Sequence, residues 1–457
     1  MGLLSIKGTI KMTDWSIHHK KLIFLIGFVI VCFSSCEKPF DEEGFNDFSK
    51  DQLNVWNKVV TDIMVHDIFS PPVASRIYAY PNIAAYEILA LESESHPALS
   101  SKIQHQKDIP KPKQQSEYNA SIASVIAYSM VAEQLVYSFE VIQEMRSVYL
   151  EKVRSFGISE RVIKNSVDHG VEVADQILEW ANSDGYRERN VNSQIIKDVG
   201  EGTWTPTPPD FIEPIEPNWN TLRTFIIDSA SQFQPGEPTE FDKKPSSLFY
   251  KECMEVYEAV RNADNEKIEI AQFWDCNPNA SNHSGHVMKF VQKISPGAHW
   301  VLIASQISRE KNLSLIERAK VFSHLSIALA DGFISCWSEK YRTVVIRPET
   351  YINRYIDKDW QPILQTPPFP EYTSGHSVAS GAAAKILTAM LGENVSFNDS
   401  TELDFGLPVR SFTSFNQAAD EAAISRLYGG IHYMPAITNG VEQGRLLGDF
   451  VSARLLK

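Results

Sequence analysis

The chain has 457 residues and a formal net charge of -14, from 43 Lys+Arg against 57 Asp+Glu. That acidity argues against a nucleic-acid partner, because binding a phosphate backbone calls for a basic face. Hydrophobic residues make up 43 %, enough for a sizeable core, so a disordered chain, a collagen-like fibre and a disulfide-stapled mini-protein are excluded.

The first 36 residues read as an address. Lys20 and Lys21 precede a short apolar run, Leu22 to Phe33, and then Ser34-Ser35-Cys36. A basic region, an apolar run and small residues at the cut describe a signal peptide. The run is shorter than the roughly 20 residues of a spanning helix. Cys36 after two serines resembles a bacterial lipobox, with Phe33 where Leu is usual. Residues 1–36 are therefore expected to be a lipoprotein-type signal, with a simple cleaved signal as the alternative and Met12 as a second candidate start. The acidic stretch 37–50 is expected to be a tether. The protein is expected to be exported to the periplasm or cell surface and to meet the membrane only through a lipid anchor.

From Asp51 to about Asp184 the pattern is mostly helical. Val73 to Leu91, Ser116 to Val136 and Ser159 to Trp180 carry apolar residues at three- and four-residue spacing. Residues 190–240 differ: Gly202-Thr-Trp204 and Pro206-Thr-Pro208-Pro209 mark a long irregular, Pro-rich loop, whose Trp and Phe residues suggest that it is packed. Helical patterns return at Leu248 to Ala263 and Glu317 to Arg342. Thr373 and Ser374 then offer an N-cap for an Ala-rich helix to about Leu391. Further helices are expected over Asn416 to Tyr428, stopped by Gly429-Gly430, and over Thr438 to Leu455. The expected fold is mainly α, one compact helical bundle, with an N-terminal region over 51–300 and a C-terminal region over 301–457 that carries the chemistry. Cys253, Cys276 and Cys336 are too few and too scattered for a disulfide framework, and no CxxC pair occurs.

Three short segments hold that chemistry. The first runs from Lys340 to Arg347-Pro348, the second is Ser374-Gly375-His376, and the third runs from Ser425-Arg426 to His432. Together they bring three cations, a hydroxyl, a bare glycine amide at a helix N-terminus and two imidazoles. Such a set suits a tetrahedral oxyanion: Arg and Lys give charge-assisted hydrogen bonds, the helix terminus adds oriented N–H groups, one imidazole bonds the central atom and the other moves protons. Each segment alone is a weak signal; the three in this order are a strong one.

The order Lys340-x6-Arg347-Pro348, Ser374-Gly375-His376, Ser425-Arg426-x5-His432 resembles the pattern shared by vanadium-dependent haloperoxidases and type 2 phosphatidic acid phosphatases. Upstream, residues 76–86, 202–209 and 273–278 are similar to bacterial haloperoxidase-like proteins, so the resemblance runs along nearly the whole chain. It implies a vanadate cofactor, with His432 as the vanadium ligand and Lys340, Arg347, Arg426, Ser374 and the Gly375 amide holding the oxygens. It implies hydrogen peroxide and halide as substrates, with iodide or bromide preferred and hypohalous acid as product. His376 would be the acid/base and Lys340 would polarise the peroxide. Trp337, one turn before Lys340, and Phe369 occupy positions that resemble halide-pocket aromatics, with plain core packing as the alternative.

Two other readings stay open. A phosphatase of the same superfamily would use His432 as nucleophile, but Ala436 stands where those enzymes usually place an orienting Asp. An inactive surface lipoprotein that binds anions is the third. Ser284-Gly285-His286 imitates the second segment but precedes the first, so it is read mainly as structural, with a place at the pocket entrance as its alternative. Asp275 is a candidate brace for an arginine, and Asp331 for local capping or pairing. His66, His169, His299 and His324 are read as ordinary surface or core histidines. The oligomeric state is left open.

Overall fold

A computed structural model describes residues 39–113, 117–189 and 200–457. The expected signal and lipid-anchor residues 1–36, and residues 190–199 of the Pro-rich loop, lie outside the described residues. Pro39–Lys457 packs as one unit.

The chain opens with α1 (Glu42–Lys50), capped by the Asp41 side chain, with Phe45 and Ser49 buried. The stretch expected as a tether is thus a docked helix from Glu42 onward. Its acidic residues Glu42 and Glu43 sit in the first turn, where the helix dipole favours them. After α2 (Gln52–His66), α3 (Pro71–Leu91) is buried on every side up to Ala90, which suits its small and apolar composition. Pro71 and Pro72 open it, in first-turn positions where a missing N–H costs nothing. Next come α4 (Ala120–Glu133), α5 (Phe139–Ser155) and α6 (Glu160–Asn182). Arg76 on α3 forms a buried pair with Asp184 after α6 (Nε–Oδ2 2.6 Å), and the Tyr80 hydroxyl donates to the same oxygen at 2.9 Å. The 76–86 segment therefore ties helices together and stands apart from the three-segment site.

The second half holds α7 (Leu248–Arg261), α8 (Asn265–Phe273), α9 (Pro296–Glu310), α10 (Leu315–Thr343), α11 (Pro348–Tyr355), α12 (Gly375–Leu391), α13 (Phe415–Tyr428) and α14 (Met434–Leu455). Two small hairpins interrupt it, β1 (Ser281–Ser284) with β2 (Val287–Phe290), and β3 (Phe397–Asp399) with β4 (Arg410–Phe412). The last helix starts at Met434, four residues before the expected Thr438, because Pro435 falls in its first turn and does not break it.

The central element is α10. Every residue from Val321 to Lys340 is buried, and the helix packs against α3 on one side and α12 on the other. No seam therefore divides the expected N-terminal and C-terminal regions. Against α12 lies α14, brought close by glycines at four-residue spacing. A Cβ at Gly448 would stand 2.8 Å from the Ala382 carbonyl oxygen, one at Gly440 would stand 3.1 Å from that of Ser374, and one at Gly444 would overlap that of Val378. Only glycine permits this approach, and it seats the N-terminus of α12 beside that of α14.

Candidate active site

At the C-terminus of α10 the chain turns through Val344, which is held left-handed (φ 45°, ψ 38°). For a β-branched residue that conformation costs on the order of 1–3 kcal/mol. The turn feeds Val345 into an antiparallel bridge with Thr203, flanked by Trp204 N to Val344 O (2.8 Å) and Ile346 N to Gly202 O (2.9 Å). The Gly202-Thr-Trp204 part of the Pro-rich loop thus splints the short link between Lys340 and Arg347. Gly202 has no room for a side chain, since a Cβ would lie 2.7 Å from Phe241. Ile215 of the same loop accepts from Trp337 Nε1 at 3.2 Å and from the Tyr341 hydroxyl at 2.5 Å. The described part of the loop is therefore a packed clamp over the end of α10.

Lys340 is fully buried. Its ammonium donates to the carbonyls of Pro370 (2.9 Å) and Glu371 (3.0 Å) and lies 5.0 Å from the centre of the Phe369 ring. Burial pushes it down to about 7, so an incoming anion would restore its charge. Arg347, also fully buried, donates Nε to Phe369 O and Nη1 to Ile431 O, both at 2.8 Å, while Nη2 has no partner. Arg426 donates Nη2 to Trp274 O at 2.6 Å and Nε to Ser425 Oγ at 2.9 Å.

Ser374 caps α12, as expected. Its Oγ accepts from Ser377 N (3.3 Å) and Ser377 Oγ (2.8 Å), which leaves its own proton to give. The first intrahelical bond runs from Val378 N to Ser374 O, so the Gly375 and His376 amides keep the free donors of a helix N-terminus. The His376 ring bonds the Trp274 carbonyl, and its Nε2 is buried without a partner. Burial and the nearby Arg426 hold this imidazole well below its usual range, so it is neutral near pH 7.

His432 is fixed from behind. Its Nδ1 lies 2.8 Å from Glu371 Oε1, an oxygen that also accepts the Tyr433 N–H at 3.0 Å. The proton therefore sits on Nδ1, and Nε2 presents a lone pair, 3.2 Å from Arg347 Nη1. Burial and the cations around it keep His432 neutral. Burial pushes Glu371 up to about 7, against the pull of Arg347 and Lys340.

Trp337, Phe369, Gly375, His376, Arg426 and His432 line one cavity. Lys340 and Arg347 reach its wall through the Phe369 ring, and Arg347 through His432 as well. Trp337 and Phe369 face each other, 5.0 Å between ring centres. All nine residues singled out from the sequence therefore meet in one region. Two groups were missed. Glu371 takes the part that the sequence pattern assigns to position 436, where the Ala436 backbone instead accepts Ser374 N (3.0 Å). The Trp274 carbonyl holds both Arg426 and His376. A carboxylate two residues before Thr373 was the available signal for Glu371; a backbone oxygen leaves no sequence signal.

The other candidates fall elsewhere. Ser284-Gly285-His286 forms the exposed turn of the β1–β2 hairpin and does not line the cavity. Asp275 pairs directly with Lys293, and its charge only favours Arg426 from a distance. Asp331 accepts the backbone N–H groups of Phe225 (2.7 Å), Ile226 (2.8 Å) and Ile227 (3.1 Å), so it anchors the Pro-rich loop from α10.

The donors suit a four-oxygen anion, with one imidazole nitrogen to bond its central atom. Gly375, His376, Arg426 and His432 line the cavity, the orphaned guanidinium N–H of Arg347, the Ser374 proton and the buried Lys340 lie next to these residues, and the imidazole lone pair of His432 is held ready by a carboxylate on its far nitrogen.

Comparison with known proteins agrees. Residues 355–457 match the family model described as the VCPO second helical-bundle domain. The chain is similar to a crystal structure described as the first bacterial vanadium-dependent iodoperoxidase, at 45 % identity and TM-score 0.84, over 89 % of this chain and 96 % of that one. It shares its fold with a bacterial vanadium-dependent chloroperoxidase in holo form (16 % identity, TM-score 0.63, 85 % of this chain and 93 % of that one) and apo form (15 %, 0.62, 85 % and 94 %). No curated protein matches. Identity of this size across nearly the whole length, on a fold that assembles the three segments around one cavity, places the chain in the vanadium-dependent haloperoxidase family.

Proposed function

We propose that this protein is a vanadate-dependent haloperoxidase that uses hydrogen peroxide to oxidise iodide, and bromide less readily, to hypohalous acid. The observation that carries the reading is His432: its Nδ1 is locked to Glu371, and its Nε2 lone pair accepts from Arg347 Nη1 at 3.2 Å, on a guanidinium whose Nη2 has no partner. Vanadate would be held at His432 Nε2, with its oxygens on Lys340, Arg347, Arg426, Ser374 and the Gly375 amide. When bound, it supplies a Lewis-acidic centre that activates peroxide without changing its own oxidation state. His376 takes a proton from peroxide at Nε2 and returns one later, a role that suits a neutral, unpartnered imidazole. Lys340 would polarise the peroxide. Trp337 and Phe369 give the halide an apolar wall. The preference for iodide is supported by the 45 % identity to a structure named as an iodoperoxidase.

The phosphatase reading regains one support. Glu371 supplies the orienting carboxylate that Ala436 lacks, so position 436 does not separate the two reactions. Family membership favours the peroxidase. Among the described residues, no helix is long and apolar enough to cross a membrane. The test reconstitutes the purified protein with orthovanadate and follows peroxide-dependent oxidation of iodide and bromide beside hydrolysis of p-nitrophenyl phosphate. Halide oxidation that needs vanadate supports the proposal. Phosphate-ester hydrolysis without vanadate and no halide oxidation would replace it.

Glu371→Gln is expected to weaken vanadate binding about 10- to 100-fold, the usual cost of removing the brace behind a metal-bound imidazole. Titration of the vanadate-free protein with orthovanadate measures it, and an unchanged affinity would remove Glu371 from the site.

A further inference from the structure

At one edge of the cavity, which Cys276 itself lines, a second cluster of ligating side chains comes together from three separate segments. Cys276 follows α8, His299 sits in the first turn of α9, and Asp399 and Glu402 come from β3 and the turn after it. His299 and Asp399 are fully buried, and Cys276 and Glu402 nearly so. One ligand atom each from Cys276, His299 and Glu402 falls within 4.8 Å of the other two.

The orientation of His299 is informative. Its Nε2 lies 2.8 Å from Asp399 Oδ2, while Asp399 Oδ1 is held by Thr401 N (3.0 Å) and Thr401 Oγ1 (2.7 Å). Nε2 therefore carries a proton and gives it to Asp399. Nδ1 points the other way, 3.4 Å from Cys276 Sγ and 3.5 Å from Glu402 Oε1. The second separation is too long for a hydrogen bond, and one ring nitrogen does not serve a thiol and a carboxylate at once. Both separations match a tetrahedral edge, since ligand atoms about 2.0–2.3 Å from one centre stand about 3.3–3.8 Å apart. The Asp399–His299 contact is also the carboxylate brace of a metal-bound imidazole.

We propose that Cys276 Sγ, His299 Nδ1 and Glu402 Oε1 bind a divalent cation of the zinc class, with Asp399 fixing the His299 ring and a fourth position left to water. Thiolate and imidazole donors select zinc over magnesium or calcium. Binding takes the proton from Cys276 and releases it to solvent. The cation ties the turn after α8 to α9 and to the β3 loop. Trp274, in that turn, stacks on His299 with 4.5 Å between ring centres, and its carbonyl positions Arg426 and His376. The cation thus supports the anion site from the edge of the cavity that Cys276 lines. His299, expected from the sequence as an ordinary core histidine, becomes a ligand.

The test strips the full-length protein with a chelator in vanadate-free buffer, adds Zn²⁺ or Co²⁺, desalts, and measures bound metal by mass spectrometry. One equivalent per chain is expected, with a thiolate-to-cobalt absorption band in the Co²⁺ form. Cys276→Ser is expected to lose that band, and the near-isosteric Glu402→Gln to bind at least tenfold more weakly while its circular dichroism stays that of the parent. Wild-type protein that retains neither metal, or full retention in both variants, overturns the proposal and leaves His299 as an imidazolium between two carboxylates.

Discussion

His432→Ala is expected to abolish vanadate-dependent halide oxidation and to weaken vanadate binding by more than the Glu371 variant does. The ring supplies a neutral nitrogen lone pair at the cavity wall, 3.2 Å from Arg347 Nη1, and Glu371 holds it there at 2.8 Å. Loss of a ligand costs more than loss of its brace, which is worth about 10- to 100-fold. A second effect accompanies it. Glu371 would keep the Tyr433 N–H but lose its imidazole partner in a buried site, at a cost of about 1–3 kcal/mol in stability. Thermal denaturation of the vanadate-free variant separates this loss from the loss of binding. Normal vanadate-dependent turnover in His432→Ala would falsify the ligand assignment.

His376→Ala is expected to divide binding from rate in the opposite way. The ring contributes no ligand, and its Nε2 waits unpaired, so vanadate affinity should change little. The rate constant should fall about 10²- to 10⁴-fold, the usual worth of a positioned acid/base. Because burial and Arg426 hold the imidazole neutral, its proton-accepting form is present at neutral pH. The variant should lose whichever limb of the pH–rate profile reports that group. Stopped-flow or steady-state iodide oxidation checks the rate, and an unchanged kcat removes His376 from proton transfer.

The parts of this site that were legible in the sequence are local. Ser374 announces a helix N-terminus because an N-cap is a property of a few consecutive residues, and α12 begins where that signal places it. Lys340 and Arg347 are seven residues apart on a link that the chain itself keeps short. Glu371 offered only a nearby carboxylate as a signal, because its role depends on His432 and Tyr433, just before α14, reaching it from 61 and 62 residues away. The same holds for Asp331, whose partners are backbone amides more than 100 residues distant. The first helix is ambiguous in sequence because acidic residues suit both a tether and a first helical turn, and the burial of Phe45 and Ser49 decides between them. Helices α8, α9 and α11 were not legible: α8 and α11 are only nine and eight residues long, and α9 follows directly on a short hairpin.

The central claim is that His432 Nε2 is the point at which this cage takes hold of vanadium. Crystals of the protein soaked in orthovanadate, measured at the vanadium absorption edge, test it most directly. An anomalous peak within bonding distance of His432 Nε2, its oxygens reaching Arg347, Arg426 and the start of α12, is the predicted result. A peak beside some other residue, or none at a concentration that supports turnover, would contradict it.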